Sequence, residues 1–147
     1  MFSNTKPTEE SPDAETILKI PKGTRTFELP ASVIWFDENG ILCSIAKNRV
    51  QTIEEAQASL AEFKKILGDQ KKVCMLSDNT NSPPVNKEMR DYAAEVIPQL
   101  VKAIAVLSRS SVGMMAANLF FSLKKQPYPV KFFNNEQEAI QWLKKYL

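Results

Sequence analysis

The sequence predicts an α/β domain with a mixed β-sheet, built in the order βββαβαβαβα. Two β-rich runs flank Asp37-Glu38-Asn39-Gly40, which indicates an antiparallel hairpin, because Asn-Gly favours the turn with φ > 0. The later apolar runs lack alternation, as is typical of strands buried on both faces. Helical segments separate these runs, and such spacing requires right-handed crossovers, so we expect the second half of the sheet to be parallel.

The domain is predicted to begin after a leader. Residues 1–22 are rich in Pro, Glu, Ser, Thr and Lys, and their apolar side chains include Ile17, Leu18 and Ile20. Such a composition buries too little surface to offset the entropy of ordering. We therefore expect residues 1–22 to form a flexible leader and residues 23–147 to form one α/β domain, a usual size for a single core.

The first helix is predicted from Thr52 to Gly68. Thr52 and Glu55 have the spacing of a capping box, and Gly68 suits the residue that ends a helix. Apolar residues recur every three or four positions between them and form one helical face. These residues are Ile53, Ala56, Leu60, Phe63 and Leu67.

The remaining elements alternate between strand and helix. Asn86 is a candidate N-cap for a helix running through Met89, Ala93 and Val96, and Pro98 is expected to bend or end it. The predicted strands are Arg25–Leu29, Ser32–Phe36, Ile41–Ala46, Lys72–Leu76, Ala103–Leu107 and Val130–Phe133. The last two predicted helices are Ser111–Leu123 and Glu136–Leu147.

Charge and apolar patterning exclude two classes of partner. The net charge of +2 comes from interleaved Lys and Glu, so no basic stripe is available for nucleic acid. No apolar run reaches the ~20 residues that span a bilayer, and the first residues lack the hydrophobic segment of a secretory signal. Cys43 and Cys74 lie in strand-like runs without C-x-x-C spacing, which suits buried thiols in a reducing compartment. We therefore expect a cytoplasmic protein.

Catalysis is not expected from these residues. The chain contains no histidine, which removes the commonest general base, the usual metal ligand and every Ser-His or Cys-His pair. The four glycines are far apart, so neither a dinucleotide fingerprint nor a phosphate-binding loop is present. We predict no enzyme activity, no metal site and no cofactor.

The order of elements and the C-terminal segment resemble a known family. Residues 128–143, YPVKFFNNEQEAIQWL, look like the final strand and helix of uncharacterised bacterial members of the STAS, or SpoIIAA-like (anti-sigma-factor-antagonist-like), group. The resemblance extends by element order over residues 25–147, and more loosely to lipid-transfer domains with a similar sheet. It implies a SpoIIAA-like fold that acts through partners or ligands.

Members of the STAS group that act as switches carry a phosphorylated serine after the strand that follows the first helix. The motif there is an Asp-Ser-Ser-Gly type turn, whereas this chain has Leu76-Ser77-Asp78-Asn79, with the order inverted and no glycine. The resemblance therefore implies a fold and a mode of action more than a phosphorylation switch. Phosphorylation of Ser77 is a third alternative for the function.

A ligand site is predicted where the parallel strands end, because loops and helix N-termini converge there. Arg109, next to serines that begin a helix, has the chemistry to hold a carboxylate or phosphate. The candidate residues are Ser77, Asp78, Asn79, Arg109, Ser110 and Ser111. The alternative is structural: Ser110 or Ser111 caps the helix, Arg109 pairs with Asp78 or solvent, and Arg90 reaches Asp78.

An interface is predicted on the helix that follows. Residues 112–121 carry no charged side chain and one polar residue, Asn118, so something besides their own sheet is expected to cover them. A second copy of the chain is the first expectation, since two-fold dimers are the commonest oligomers. The candidate residues are Val112, Met114, Met115, Ala117, Asn118 and Phe121. The alternative is that Met115, Leu119 and Phe120 fill the domain's own core.

Two functions therefore follow from the sequence. The first is a non-enzymatic regulatory or protein-interaction domain that acts through a homodimer or another protein. The alternative is binding of a small amphipathic or anionic ligand at the C-terminal ends of the parallel strands.

Overall fold

The computed structural model describes residues 13–69, 72–123 and 126–147, with only the backbone described at residues 120–123. The strands are β1 (Phe27–Leu29), β2 (Ser32–Phe36), β3 (Leu42–Ala46), β4 (Val73–Asp78), β5 (Val101–Leu107) and β6 (Val130–Phe133). The helices are α1 (Ile53–Leu67), α2 (Lys87–Val96), α3 (Ser111–Leu123) and α4 (Glu136–Leu143), with 3-10 turns at Ile97–Gln99 and Lys144–Tyr146.

The described strands form one six-stranded sheet in sequence order, β1-β2-β3-β4-β5-β6. The pairs β1/β2 and β2/β3 are antiparallel, and the pairs β3/β4, β4/β5 and β5/β6 are parallel. The predicted fold class, with an antiparallel N-terminal hairpin and a parallel C-terminal half, is confirmed.

Local signals in the sequence set the ends of these elements as predicted. Gly40 has φ of 81° in the β2–β3 hairpin, where the Asp37 carboxylate accepts from the amide of Ile41. Thr52 and Glu55 form the capping box of α1. Asn86 caps α2 by accepting from the amide of Met89, at 2.8 Å. Each interaction gives a partner to a backbone amide that a helix or turn leaves unpaired.

The sheet is covered on both faces by different helices. Neighbouring residues of β2 show the division, since Ile34 points to one face and Trp35 to the other. We call the side with Trp35 the α4 face, because Ala139 and Leu143 of α4 are fully buried there. We call the other side the α1 face, where Leu67 of α1 is buried.

The leader prediction is wrong for part of the N-terminal segment. Leu18 is 2% exposed and lies in the core of the α4 face, with Ile17 packed beside it. Composition alone did not predict that these two apolar residues dock, because their backbone amides bind the carboxylate of Asp78, 61 and 60 residues away. Residues 1–12, the rest of the predicted leader, lie outside the described residues.

Helix α3 lies beside β6, which is an edge strand of the sheet. The Asn118 carboxamide accepts from the backbone amide of Phe132 at 2.7 Å and donates to its carbonyl at 3.0 Å. These are the two bonds that a further strand would make, so α3 covers this edge at Phe132. Among the described residues, no helix combines the length and apolar character needed to cross a membrane.

Candidate functional site

The C-terminal edge of the parallel strands is organised around Asp78, the last residue of β4. Its side chain is 0% exposed. One carboxylate oxygen accepts from the backbone amides of Ile17 and Leu18, at 2.7 and 2.9 Å. The other accepts from the amide and the hydroxyl of Thr80. Asp78 is thus a buried acceptor, and a buried carboxylate is stable when several donors surround it.

The N-terminal segment also contacts the neighbouring loops. Asn81 accepts from the Ala14 amide at 2.8 Å and donates to the Ala14 carbonyl at 2.9 Å. Arg109 donates from Nε to the carbonyl of Glu15 at 2.8 Å. The hydrogen bond and charge of Lys19, followed by the charge of Arg109, hold the pKa of Glu15 below its usual value. Residues 14–18 therefore lie across the edge where we predicted a ligand.

The remaining candidate ligand residues have mostly structural contacts. The buried hydroxyl of Ser77 donates to Asn79 at 2.7 Å. Ser110 accepts from the amide of Gly113 at 2.9 Å, which is the N-cap role that the sequence left as an alternative. Ser111 is exposed at the start of α3.

The two arginines do not make the contacts with Asp78 that we considered. Arg109 binds Glu15, and Arg90 donates to the carbonyl of Val85 at 2.8 Å. The four donors around Asp78 come from residues 17, 18 and 80 instead. A recess of about 320 Å³ remains at this edge, lined in part by Asn79, Arg109 and Ser110.

The outward side of α3 is an apolar surface. Val112 is 80% exposed, Met115 67% and Leu119 61%. Their spacing of three and four residues places them on one side of the helix, and exposed Ala116 lies among them. We call these four residues the outer face of α3.

This surface differs in part from the predicted interface. Val112 and Met115 are exposed as expected, whereas Met114 and Ala117 are half-buried. Asn118 differs from the prediction, because its side-chain carboxamide is bound to the backbone of Phe132 and therefore faces the sheet. The side chain of Phe121 lies outside the described residues. Sequence reasoning missed Ala116 and Leu119 because helical phase alone does not say which side meets β6.

A second concave site, not found from the sequence, lies on the α1 face. A cavity of about 240 Å³ opens between α1 and α2, above the starts of β4 and β5. Two signals were present in the sequence: Ser59 interrupts the apolar face of α1, and α2 carries a stripe from Met89 to Val96. Neither feature predicts that the two helices leave a space between them.

The cysteines are buried free thiols, as expected. Burial, with smaller contributions from the charges of Asp37 and Glu136, raises the pKa of Cys43 to about 12. Burial also raises the pKa of Cys74. Because the thiolate is the reactive form, both are weak nucleophiles at neutral pH. Over the described ranges, no three His, Cys, Asp or Glu side chains cluster as metal ligands would.

Comparison with known proteins gives a family and a fold. The family model described as "Domain of unknown function (DUF7793)" matches residues 34–147. No curated protein matches the chain.

Two solved structures are similar to this one. One is an uncharacterised protein of the DUF3478 family with a SpoIIAA-like fold, from Shewanella loihica PV-4. It has a TM-score of 0.55 and 20% sequence identity, covering 77% of this chain and 92% of that chain. The other, a protein of unknown function from Arthrobacter sp. FB24, has a TM-score of 0.25 and 25% identity, covering 75% and 90% of the respective chains. The first likeness establishes the SpoIIAA-like fold.

Proposed function

Since the chain belongs to the DUF7793 family, whose description assigns no activity, we propose its function from its surface: a non-enzymatic interaction domain that self-associates through α3. The observation that carries the proposal is the outer face of α3, where Val112, Met115 and Leu119 are 80%, 67% and 61% exposed. Contiguous apolar patches of this kind on a folded domain mark contact surfaces.

The chemistry of α3 favours a second copy as the occupant. The helix carries no ionised side chain from Ser111 to Leu123, so two such surfaces meet without burying a charge. Ala116 lies among the larger side chains and allows the helices to approach closely. A two-fold arrangement places the same surface on itself, which is the commonest symmetry of soluble oligomers.

The covered edge of the sheet supports the same mode of association. An exposed strand edge offers partners a second route, the addition of a strand. At Phe132 of β6 both backbone groups are bound to Asn118. At this position α3, rather than the strand edge, is the surface that a partner can contact.

The expected affinity is modest. Burying one Val, Met or Leu side chain contributes ~1.5–3 kcal/mol. Association costs ~4–15 kcal/mol in lost freedom of motion. Three such side chains from each copy contribute ~9–18 kcal/mol, and the midpoints of the two ranges leave about 4 kcal/mol, which corresponds to a Kd of roughly 1 mM.

Two features support a non-enzymatic domain in the cytoplasm. The buried acidic group at the sheet edge, Asp78, is bound to four donors of the protein itself, so both of its oxygens are occupied by contacts within the fold. The free thiols Cys43 and Cys74 suit a reducing compartment. The proposed action is a change in association rather than a chemical step.

Sedimentation velocity of the full chain tests the proposal, over concentrations that bracket the expected Kd. We expect the wild-type protein to shift from monomer to dimer with increasing concentration. Met115→Lys and Val112→Lys are expected to remain monomeric, because each buries a charge at the contact. Val50→Lys is the matched control, since Val50 is 65% exposed away from α3, and it is expected to dimerise normally.

Two results would contradict self-association through α3. The first is a wild-type protein that stays monomeric over the whole range. The second is a dimer that survives both lysine substitutions on α3.

A further inference from the structure

Residues 14–18 lie on the C-terminal edge of the parallel strands in the way that a bound peptide lies on its receptor. They belong to none of the helices or strands described above. Side chains of the domain hold their backbone instead: Asn81 binds an amide and a carbonyl, Arg109 a carbonyl, and Asp78 two successive amides. Backbone contacts of this kind give affinity for a segment without requiring a particular sequence. We call residues 14–18 the docked segment.

One side chain of the docked segment gives the contact its specificity. Leu18 is 2% exposed and lies in the core of the α4 face. The others are less buried, since Ala14 and Glu15 are exposed and Thr16 and Ile17 are half-buried. Recognition at this edge therefore combines several backbone hydrogen bonds with one leucine in an apolar pocket.

The connection to β1 allows the docked segment to leave as a unit. Residues 19–23 are exposed, and the hydrogen bond from the amide of Thr24 to the carbonyl of Pro21 closes a local turn. Strand pairing begins only at Phe27. Release therefore breaks the contacts of residues 14–18 but no strand pair. Terminal segments held in this way open at a lower free energy than the sheet itself.

The docked segment leaves part of the edge unused. Arg109 binds it through Nε, and the recess of about 320 Å³ beside Arg109 is lined by none of residues 14–18. The Glu15 carboxylate accepts from Lys19 at 3.0 Å. After the hydrogen bond and charge of Lys19, the charge of Arg109 also lowers the pKa of Glu15, so the carboxylate and the guanidinium lie near each other. A carboxylate without a competing lysine would have Arg109 as its partner.

This unused contact indicates which occupant can replace the docked segment. A second copy of the chain offers only the same contacts, and each chain holds its own segment at a high effective concentration. A replacement must therefore bind better. We propose that this edge binds an acidic segment of another protein, with a leucine in the pocket of Leu18 and a free carboxylate for Arg109, and that residues 14–18 occupy the site until that partner displaces them. The site is separate from the outer face of α3 and goes beyond the proposed self-association.

Two fluorescent peptides with blocked ends test the proposal by fluorescence anisotropy with the full chain. The self peptide has the sequence of residues 13–20, DAETILKI. The acidic peptide, DAETILAI, carries Lys19→Ala and so frees the carboxylate of Glu15. We expect the acidic peptide to bind about threefold more tightly than the self peptide, since an exposed ion pair contributes little. Arg109→Gln in the chain is expected to remove this difference, and Leu18→Ser in either peptide to abolish binding.

Weakening the chain's own segment is expected to open the site. Leu18→Ser in the full chain removes the anchor and leaves Asp78, Asn81 and Arg109 in place, so it is expected to bind both peptides roughly tenfold more tightly than the wild type. Ile20→Ser is the matched control, because Ile20 is 44% exposed, and it is expected to bind as the wild type. Adding Asp78→Asn to Leu18→Ser is expected to reverse the gain.

A second variant decides the proposal even if Leu18→Ser folds poorly. Ile17→Pro removes one donor to Asp78 and keeps the core leucine, and it is expected to bind the peptides about threefold more tightly than the wild type. The proposal is overturned if neither variant binds more tightly, or if the acidic peptide keeps its advantage in Arg109→Gln. It is also overturned if Met115→Lys still dimerises and Leu18→Ser makes that dimer monomeric, since the segment would then be exchanged between copies.

Discussion

The carboxylate of Asp78 and the backbone amide of Leu18 are joined by a hydrogen bond of 2.9 Å, across 60 residues of sequence. The same oxygen accepts from Ile17, so one buried side chain fixes the N-terminal segment on the α4 face. We expect Asp78→Asn to lower the free energy of unfolding by ~2–4 kcal/mol, because an amide NH₂ then faces backbone donors. Urea unfolding of both proteins measures the difference.

The exposed Asp69→Asn is the control, with a change expected within ~0.5 kcal/mol. Hydrogen exchange gives a local readout of the same contact. The amides of Ile17 and Leu18 are expected to be protected in the wild type and to exchange rapidly in Asp78→Asn. Equal exchange in the two proteins would mean that Asp78 does not hold the segment.

Asn118 is expected to act in stability rather than in association. Asn118→Ala removes both hydrogen bonds to the backbone of Phe132, so we expect the free energy of unfolding to fall by ~1–3 kcal/mol. The Phe132 amide should exchange faster with solvent. Gln137→Ala, on the exposed side of α4, controls for loss of an amide side chain. If Asn118→Ala instead abolished the dimer and left stability unchanged, the assignment of Asn118 to the inner side of α3 would be wrong.

The Cys43 thiol is expected to make the free energy of unfolding fall as pH rises above 9.0. Its pKa is raised from 9.0 to about 12 in the fold, mainly by burial. Above pH 9.0 the unfolded chain therefore loses a proton that the folded chain keeps, and stability falls as pH rises towards 12. This thiol contributes at most ~1.4 kcal/mol per pH unit. Urea unfolding at several alkaline pH values should give a shallower decline for Cys43→Ala than for the wild type. Parallel declines in the two proteins would contradict the assignment.

The Ser59 hydroxyl is expected to lower the free energy of unfolding of the domain. Its hydroxyl oxygen is buried without a partner among the described residues, so Ser59→Ala should raise the free energy of unfolding by ~1–2 kcal/mol. The neighbouring exposed Ala58→Ser makes the reverse change and should cost only the difference in helix propensity, ~0.5 kcal/mol. Thermal unfolding of Ser59→Ala and Ala58→Ser, each compared with the wild type, measures these changes. A loss of stability in Ser59→Ala would indicate that the hydroxyl supports the fold.

Much of the fold followed from local rules that operate within a few residues. The capping box at Thr52, the N-cap at Asn86 and the turn at Gly40 each depend on neighbours in sequence, and all three occur as predicted. The parallel direction of β4, β5 and β6 followed as well, because a helix that connects two strands of one sheet returns the chain to run in the same direction. Boundaries moved by a few residues, as at β5, which begins at Val101 rather than Ala103.

The sites were harder to predict because they depend on contacts between distant segments. Periodicity identified α3 as apolar, but only its position beside β6 shows that Asn118 faces inward and Leu119 outward. The role of Asp78 depends on its hydrogen bonds with the amides of Ile17 and Leu18. The average composition of residues 1–22 does not predict that these two residues dock. The cavity between α1 and α2 is a property of helix spacing, which no residue pattern in either helix encodes.

The docking of Ile17 and Leu18 on Asp78 also bears on the order of folding during synthesis. The ribosome releases the N-terminal segment first, yet the side chain that binds it follows about 60 residues later. The first part of the domain to emerge must therefore wait for β4 before it gains its native contacts. A nascent chain arrested before Asp78 would carry that segment exposed, where proteases and chaperones have access to it.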